Sequence, residues 1–266
     1  MQESSLFGQG LGEIDGWYLE NLVCPRDHLD LVLLDGRLRC RDGHSYPVVE
    51  GVPVMLVKDA PETLNVMSAS LAQANASYVS SGSSGNLYLE TLGISDEERK
   101  GVLRLAGAKK RNLDPVVSYL VAATNGMMYR HLIGELQAYP IPELPLPDAE
   151  GQQLLDIGCS WGRWCFAAAR KGYQPVGLDP SLGAILAAKR VAQQLDVKIR
   201  FIVGDGRWLP FKDKSFPAVF SYSVIQHFSY EDARQTICEL ARVLCPKGTC
   251  LVQLPNAFGL RCLYNQ

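Results

Sequence analysis

The chain is poor in histidine and has no surplus of charge of either sign. Its 266 residues include 4 His, and 26 basic residues face 28 acidic ones, for a net charge of −2. That balance argues against a nucleic-acid partner, which a basic excess usually serves. Lys109-Lys110-Arg111 is a basic cluster, and a solvated turn accounts for it. No apolar run approaches the roughly 20 residues of a membrane span. Met1 to Gly12 lacks a basic region followed by an apolar core, so no secretory leader is read there. With 8 Cys and no such leader, the expected compartment is reducing and cytoplasmic. Hydrophobic content of 47% and charged content of 20% describe a globular protein, long enough for one ordinary domain and a small one. Cys159, Cys165, Cys238, Cys245, Cys250 and Cys262 mostly fall in apolar segments, where thiols pack as small hydrophobes.

The dinucleotide fingerprint G-x-G-x-x-G is also missing. In its place stands Leu154-Leu155-Asp156-Ile157-Gly158-Cys159-Ser160-Trp161-Gly162-Arg163-Trp164. An apolar pair reads as the end of a buried strand. An acid follows, then small residues at alternate positions, then a helix start. Small residues in such a turn let backbone approach a ligand and leave the helix N-terminus facing it. The spacing Gly158-x-Ser160-x-Gly162 is also that of a nucleophile elbow. A hydrolase would need a histidine and an acid after Ser160, and His227 with Asp179 or Asp205 is the weak set on offer.

The run resembles motif I of the class I S-adenosylmethionine methyltransferases, acidic-x-G-x-G-x-G, with Ser160 replacing the middle glycine. The carboxylate of Asp156 suits a ligand with an ammonium and a sulfonium and would repel a pyrophosphate. Two further strands end in acids. Gln174 to Asp179 is the first, and its acid suits ribose hydroxyls. Ile199 to Asp205 is the second. The resemblance implies that Asp205 holds the adenine amino group, with Gly206 and Arg207 beside the ring. It places Asp156, Gly158, Ser160, Gly162, Asp179, Pro180, Asp205, Gly206, Arg207 and Ser221 around S-adenosylmethionine.

The expected fold is α/β, a Rossmann-like class I methyltransferase sheet with a small N-terminal zinc-ribbon-like β module. Helices are expected over 163–171, 181–195 and 230–244, alternating with strands over 218–223 and 249–254, which implies a parallel sheet. The chain ends twelve residues after Leu254, so the sheet lacks the last two strands of the family. The fifth strand is then an open edge, and the expectation is a truncated product, or a protein partner or second copy covering that edge.

Residues 1–18 read as a tail and 19–58 as the small module. Its two halves, Cys24-Pro25-Arg26-Asp27-His28 and Cys40-Arg41-Asp42-Gly43-His44, share Cys-x-x-x-His and flank a hairpin with its turn at Asp35-Gly36. With Tyr46-Pro47 to Met55, the segment resembles the zinc-ribbon proteins that activate tRNA and protein methyltransferases. The expected ligands are Cys24, His28, Cys40 and His44, with Asp27 as the alternative to His28. A metal-free ribbon is the competing reading. About 40 residues are too few to build a sufficient core without a staple or a docking surface.

Residues 59–113 read as a linker with a flexible stretch at 80–85 and a helix opened by the capping box Ser95-Asp96-Glu97-Glu98. Residues 114–266 are the methyltransferase-like domain, with 114–150 as a helical cover and 151–266 as its core. A helix starts at Asp114-Pro115, breaks at Asn125-Gly126 and resumes over Met127–Gln137. Thr124, Asn125, Tyr129 and Arg130 are candidates for the substrate mouth, Tyr129 and Arg130 above all. His227 and Tyr222 follow the fourth strand, at the carboxyl edge where ligands sit in open α/β sheets, and are the catalytic candidates. The acceptor expected is a small molecule. The competing functions are an rRNA guanine methyltransferase with a zinc ribbon and an inactive ligand-binding scaffold.

Overall fold

The computed structural model describes residues 14–60, 65–79, 86–108, 113–124 and 131–255. The N-terminal module opens with helix α1 (Gly16–Asn21), capped by Asp15. It continues with a meander of β1 (Val32–Leu34), β2 (Arg37–Arg39), β3 (Ser45–Val49) and β4 (Val52–Pro53), in the order β1-β2-β3-β4. Asp35 and Gly36 both have positive φ, at 49° and 68°. This is the sign pattern of the primed turn that suits a two-residue hairpin. Helix α1 begins inside the stretch that the sequence reads as a tail.

The span read as a linker is largely helical. It holds α2 (Val66–Val79), a 3-10 turn (Leu89–Leu92) and α3 (Asp96–Gly107), with the capping box at Ser95 and Glu98 formed as expected. The flexible stretch at 80–85 lies outside the described residues. Helix α4 (Pro115–Thr124) starts at Asp114, whose Oδ1 accepts the N–H groups of Val116 and Val117. The expected helix over Met127–Gln137 does not resume in its described part, where 131–137 is short turns.

The large sheet is β5 (Gln153–Ile157), β6 (Gln174–Asp179), β7 (Arg200–Val203), β8 (Phe216–Tyr222) and β9 (Leu244–Gln253), ordered β7-β6-β5-β8-β9 and parallel throughout. Helices α5 (Arg163–Arg170), α6 (Leu182–Gln194) and α7 (Tyr230–Val243) connect its strands. Parallel register puts the ends of β5, β6 and β7 at one edge of the sheet, which is where the three acids lie. Pro217 has no N–H to give the ladder, and the β8–β9 register shifts around it, between Phe216 and Ala218.

One face of the sheet packs on α4, α5, α6 and α2. The other packs on α7 and the N-terminal module, with Leu22, Leu38 and Met55 in the same apolar cluster as Leu155, Val176, Ile202 and Val219. The module thus covers sheet surface that α7 does not reach. It also finishes the edge of β7. The Tyr18 hydroxyl accepts from the Phe201 N–H (3.2 Å) and donates to the Phe201 carbonyl (3.0 Å). Val54 pairs parallel with Val203, and the Met55 N–H reaches the Val203 carbonyl at 2.7 Å. These bonds blunt an otherwise open row of donors and acceptors. At the other edge, β9 has no further strand beside it among the described residues. No described helix is long and apolar enough to cross a membrane.

Candidate functional site

The loop after β5 is shaped by three left-handed residues, Gly158 (φ 71°), Ser160 (φ 50°) and Gly162 (φ 83°). Its first turn is held by N–H bonds from Gly158 and Cys159 to the Leu178 carbonyl, at 2.8 and 3.1 Å. Gly158 is needed for space as well as for conformation. A Cβ there would stand 2.2 Å from Val224 Cγ2. Gly162 opens α5 with no side-chain cap, and in the first turn of that helix the Cys165 N–H turns to the Asp156 carboxylate.

The first turn of α6 is the opposite case. The Leu182 N–H goes to Ser70 Oγ (3.0 Å), the Gly183 N–H to Thr91 Oγ1 (2.7 Å) and the Ala184 N–H to Ser181 Oγ (3.2 Å). Hydroxyls from α2 and the 3-10 turn fill the positions an anion would take. Neither Ser70 nor Thr91 is signalled by sequence, because both act on residues far along the chain.

Asp156 is buried at the end of β5. Cys165 donates to its Oδ2 at 3.3 Å, while the buried Oδ1 has no hydrogen-bond partner among the described residues. Burial pushes its carboxyl up to about 7, with Asp179 adding to the rise and the Cys165 thiol and Arg163 opposing it. Asp179 is pushed up to about 6 by burial, although its Oδ1 accepts the Ser181 N–H and its Oδ2 the Ser160 N–H, both at 2.9 Å. Asp179 therefore staples the β5 loop to the tip of β6. Ser160 has no histidine partner among the described residues, so no nucleophile elbow is assembled.

Asp205 is tied to Arg207. Both its oxygens take Arg207 Nε at 3.1 Å, Oδ2 also takes Nη2 at 2.7 Å, and Oδ1 takes the Arg207 N–H at 2.9 Å. Arg207 is 1% exposed and also bonds Asp232 through Nη1 at 2.9 Å. Trp208 and Phe228 lie against its guanidinium. A buried Arg between two carboxylates leaves Asp205 little free acceptor capacity, and the Arg207 guanidinium is sealed in rather than open beside a ring.

Ser221 bonds the Ile157 carbonyl at 3.3 Å and so joins β8 to the end of β5. The Pro180 carbonyl accepts from Ser70 Oγ at 2.8 Å. Gly206 lies close to Ile157, whose Cγ2 would be 3.1 Å from an added Cβ. Tyr222 packs on Trp164 with ring centres 4.9 Å apart, and the Arg163 guanidinium lies 5.1 Å from the Tyr222 ring. Arg163 and Trp164 are site neighbours that the sequence reading passes over, although both stand in the motif run. His227 is exposed on the 3-10 turn Ile225–His227, where its ring meets Gln226. Tyr129, Arg130 and Asn125 lie outside the described residues, as does the side chain of Thr124.

A second cluster forms in the N-terminal module. One ligand atom from each of Cys24, Asp27, Cys40 and His44 lies within 4.8 Å of the others. Both thiols stand 3.4 Å from His44 Nδ1, Cys40 is 3.4 Å from Asp27 Oδ2, and His44 Nδ1 is 2.8 Å from that same oxygen. Tetrahedral zinc, with bonds of about 2.0–2.3 Å, sets ligand atoms roughly 3.3–3.8 Å apart, so this group fits such an ion with little movement. Burial raises the Cys24 thiol to about 11. Burial also opposes ionisation of Asp27, but the Leu29 N–H, the two thiols and His44 together hold it down to about 2. His28, the expected fourth ligand, is not in the group. The chain turns left-handed there (φ 56°) and leaves His28 exposed, so the inward position goes to Asp27.

The glycine loop, the three strand-end acids and the parallel order can now be set beside known proteins. Residues 154–248 match the family described as methyltransferase domain. This segment is similar to that family over 95 residues. Norajmaline N-methyltransferase of Rauvolfia serpentina is 35% identical over 103 residues, covering 38% of this chain and 35% of that protein. A ubiquinone biosynthesis O-methyltransferase of Bartonella quintana (strain Toulouse) is 30% identical over 125 residues, covering 46% of this chain and 49% of that protein. The chain thus spans about a third to a half of the length of these curated relatives. Among solved structures, a protein of Pyrococcus horikoshii OT3 is 34% identical with a TM-score of 0.38, covering 38% of this chain and 48% of that one. The methyltransferase domain match begins at Leu154 and so includes the glycine loop and all three acids, while the cluster at Cys24–His44 lies before it.

Proposed function

We propose that this chain transfers a methyl group from S-adenosylmethionine to a small-molecule acceptor. The observation that carries the reading is the buried Oδ1 of Asp156, which has no hydrogen-bond partner among the described residues, at the foot of the left-handed glycine loop. A buried acid with a free acceptor suits a cationic donor and opposes a diphosphate. When bound, S-adenosylmethionine supplies a methyl carbon already activated by a sulfonium. Asp156 would hold the cationic end of that ligand. Gly158, Ser160 and Gly162 let backbone approach it, and Asp179 offers its remaining lone pairs to ribose hydroxyls. Asp205, Gly206 and Arg207 shape the nucleoside end, and Pro180 and Ser221 fix the neighbouring strand tips.

The chain's contribution to rate is alignment, and orientation of this kind supplies roughly 7–11 kcal/mol of a barrier. His227, exposed beyond the end of β8, would take a proton from an acceptor that starts protonated. Tyr222 would border the same space. The names of the relatives, an alkaloid N-methyltransferase and a quinone-pathway O-methyltransferase, support a small-molecule acceptor. Titration calorimetry with S-adenosylmethionine tests the reading, and saturable binding that S-adenosylhomocysteine competes away is the expected result. Absence of binding by both ligands would overturn it.

The same reading includes a resident zinc in a ribbon-like module, held by Cys24, Asp27, Cys40 and His44. It places the protein in a reducing, cytoplasmic compartment, where thiols persist as metal ligands. Zinc would tie α1, the hairpin and β3 into one unit on the back of the sheet. Stoichiometric zinc in the purified protein, lost in Cys40→Ala, is the expected finding. A metal-free protein that takes up no added zinc would contradict it.

A further inference from the structure

Helix α2 lies in a stretch that the sequence reads as a linker, yet it bridges the two strand tips carrying Asp179 and Asp205. Met67 and Ser70 stand one turn apart on it, so they share a face. Both are buried. Ser70 Oγ donates to the Pro180 carbonyl at 2.8 Å and accepts the Leu182 N–H at 3.0 Å, which fixes the corner directly after Asp179. Met67 Sδ lies 3.6 Å from Arg207 Nη2, the guanidinium that saturates Asp205. One helix face therefore touches the tip of β6 through a hydroxyl and the segment after β7 through a thioether.

We propose that α2 is a wall of the nucleoside end of the ligand crevice, with Met67 as its apolar contact for the purine and Ser70 as a positioning residue for the Asp179 corner. This rests on the proposed use of an adenosyl ligand. Asp205 has spent its acceptors on Arg207, so little hydrogen bonding remains there to recognise a base. Apolar and sulfur–aromatic contact from Met67 supplies affinity at that end instead. A thioether is suited to the task, because it is polarisable and adapts to a flat ring. Ser70 satisfies two backbone groups at once, so its loss would free the start of α6 and with it the Asp179 carboxylate.

The test is calorimetric binding of S-adenosylhomocysteine and of 5′-methylthioadenosine, a probe that keeps the nucleoside and lacks the amino-acid end. Met67→Ala weakens both ligands by the same factor, roughly 3–10-fold, the equilibrium equivalent of one sulfur–aromatic contact. Met67→Leu, which conserves volume, retains most of the affinity, and Met67→Gln replaces the alanine variant if that one does not fold. Ser70→Ala also weakens both ligands, and Ser70→Thr restores them. Unchanged affinity for 5′-methylthioadenosine in folded Met67→Ala or Met67→Gln would overturn the proposal. Wild-type protein that binds neither probe would overturn the adenosyl reading itself, a result distinct from the first.

Discussion

The acids of the N-terminal module and of the β5 tip are treated in opposite ways. In the N-terminal module, Asp27 is surrounded by donors and held down to about 2. At the end of β5, Asp156 keeps one oxygen without a partner among the described residues and is pushed up to about 7. The first group is satisfied as it stands, and a metal would replace protons and hydrogen bonds already in place. The second is left short of a partner, which is the condition for strong selection of a cationic ligand. On the proposed reading, the contrast separates a site that would hold the fold from a site that would take a ligand.

The largest effect expected at the β5 site comes from Gly158→Ala. Left-handed backbone costs an L-residue about 1–2 kcal/mol, and overpacking against Val224 adds about 1–3 kcal/mol. Loss of adenosyl-ligand binding with a lowered Tm is the expected result, read by calorimetry and thermal melting. In the module, zinc at 100 times its Kd adds about 2.7 kcal/mol to stability. Chelation should therefore lower Tm by roughly 5–10 °C in a protein of this size, and Cys40→Ala should show the low Tm with or without chelator.

A smaller effect tests the joint between the clusters. Tyr18→Phe strands the Phe201 N–H and carbonyl, at a cost of about 1–3 kcal/mol. Urea denaturation should register it as a lower midpoint, with zinc content unchanged. An effect of similar size is one of pH on the ligand-free protein. The folded state holds the Asp156 proton more tightly than the unfolded chain does. Stability from this group is thus full below the ordinary carboxylate range and is lost as pH rises through about 7. Asp156→Asn should remove that decline, leaving a flatter curve of melting temperature between pH 5 and pH 8.

The parallel core was legible because its signals are local. Gly158, Ser160 and Gly162 announce a turn, and Asp179 ends a short apolar strand that β6 reproduces. The parts that were not legible depend on distant partners. Ser70 caps a helix that begins 112 residues later, and no spacing rule reports such a bond. Arg207 claims Asp205 through a pair that motif resemblance assigns to a ligand. The repeat of Cys-x-x-x-His favoured His28, but repetition in sequence does not fix which side of a turn faces inward. The left-handed backbone at His28 leaves that side chain exposed, and Asp27 joins the cluster instead.

The central claim is that Asp156 must ionise to hold the cationic end of an adenosyl ligand. Its most direct test is the affinity of wild-type protein and Asp156→Asn for S-adenosylhomocysteine at pH 6 and pH 7.5. For a group titrating at about 7, the ionised fraction rises roughly eightfold over that interval, and wild-type affinity should rise by the same factor. Asp156→Asn should bind weakly and show no such rise. A wild-type affinity that stays level between the two pH values, or an Asp156→Asn protein that binds as tightly as wild type, would contradict it.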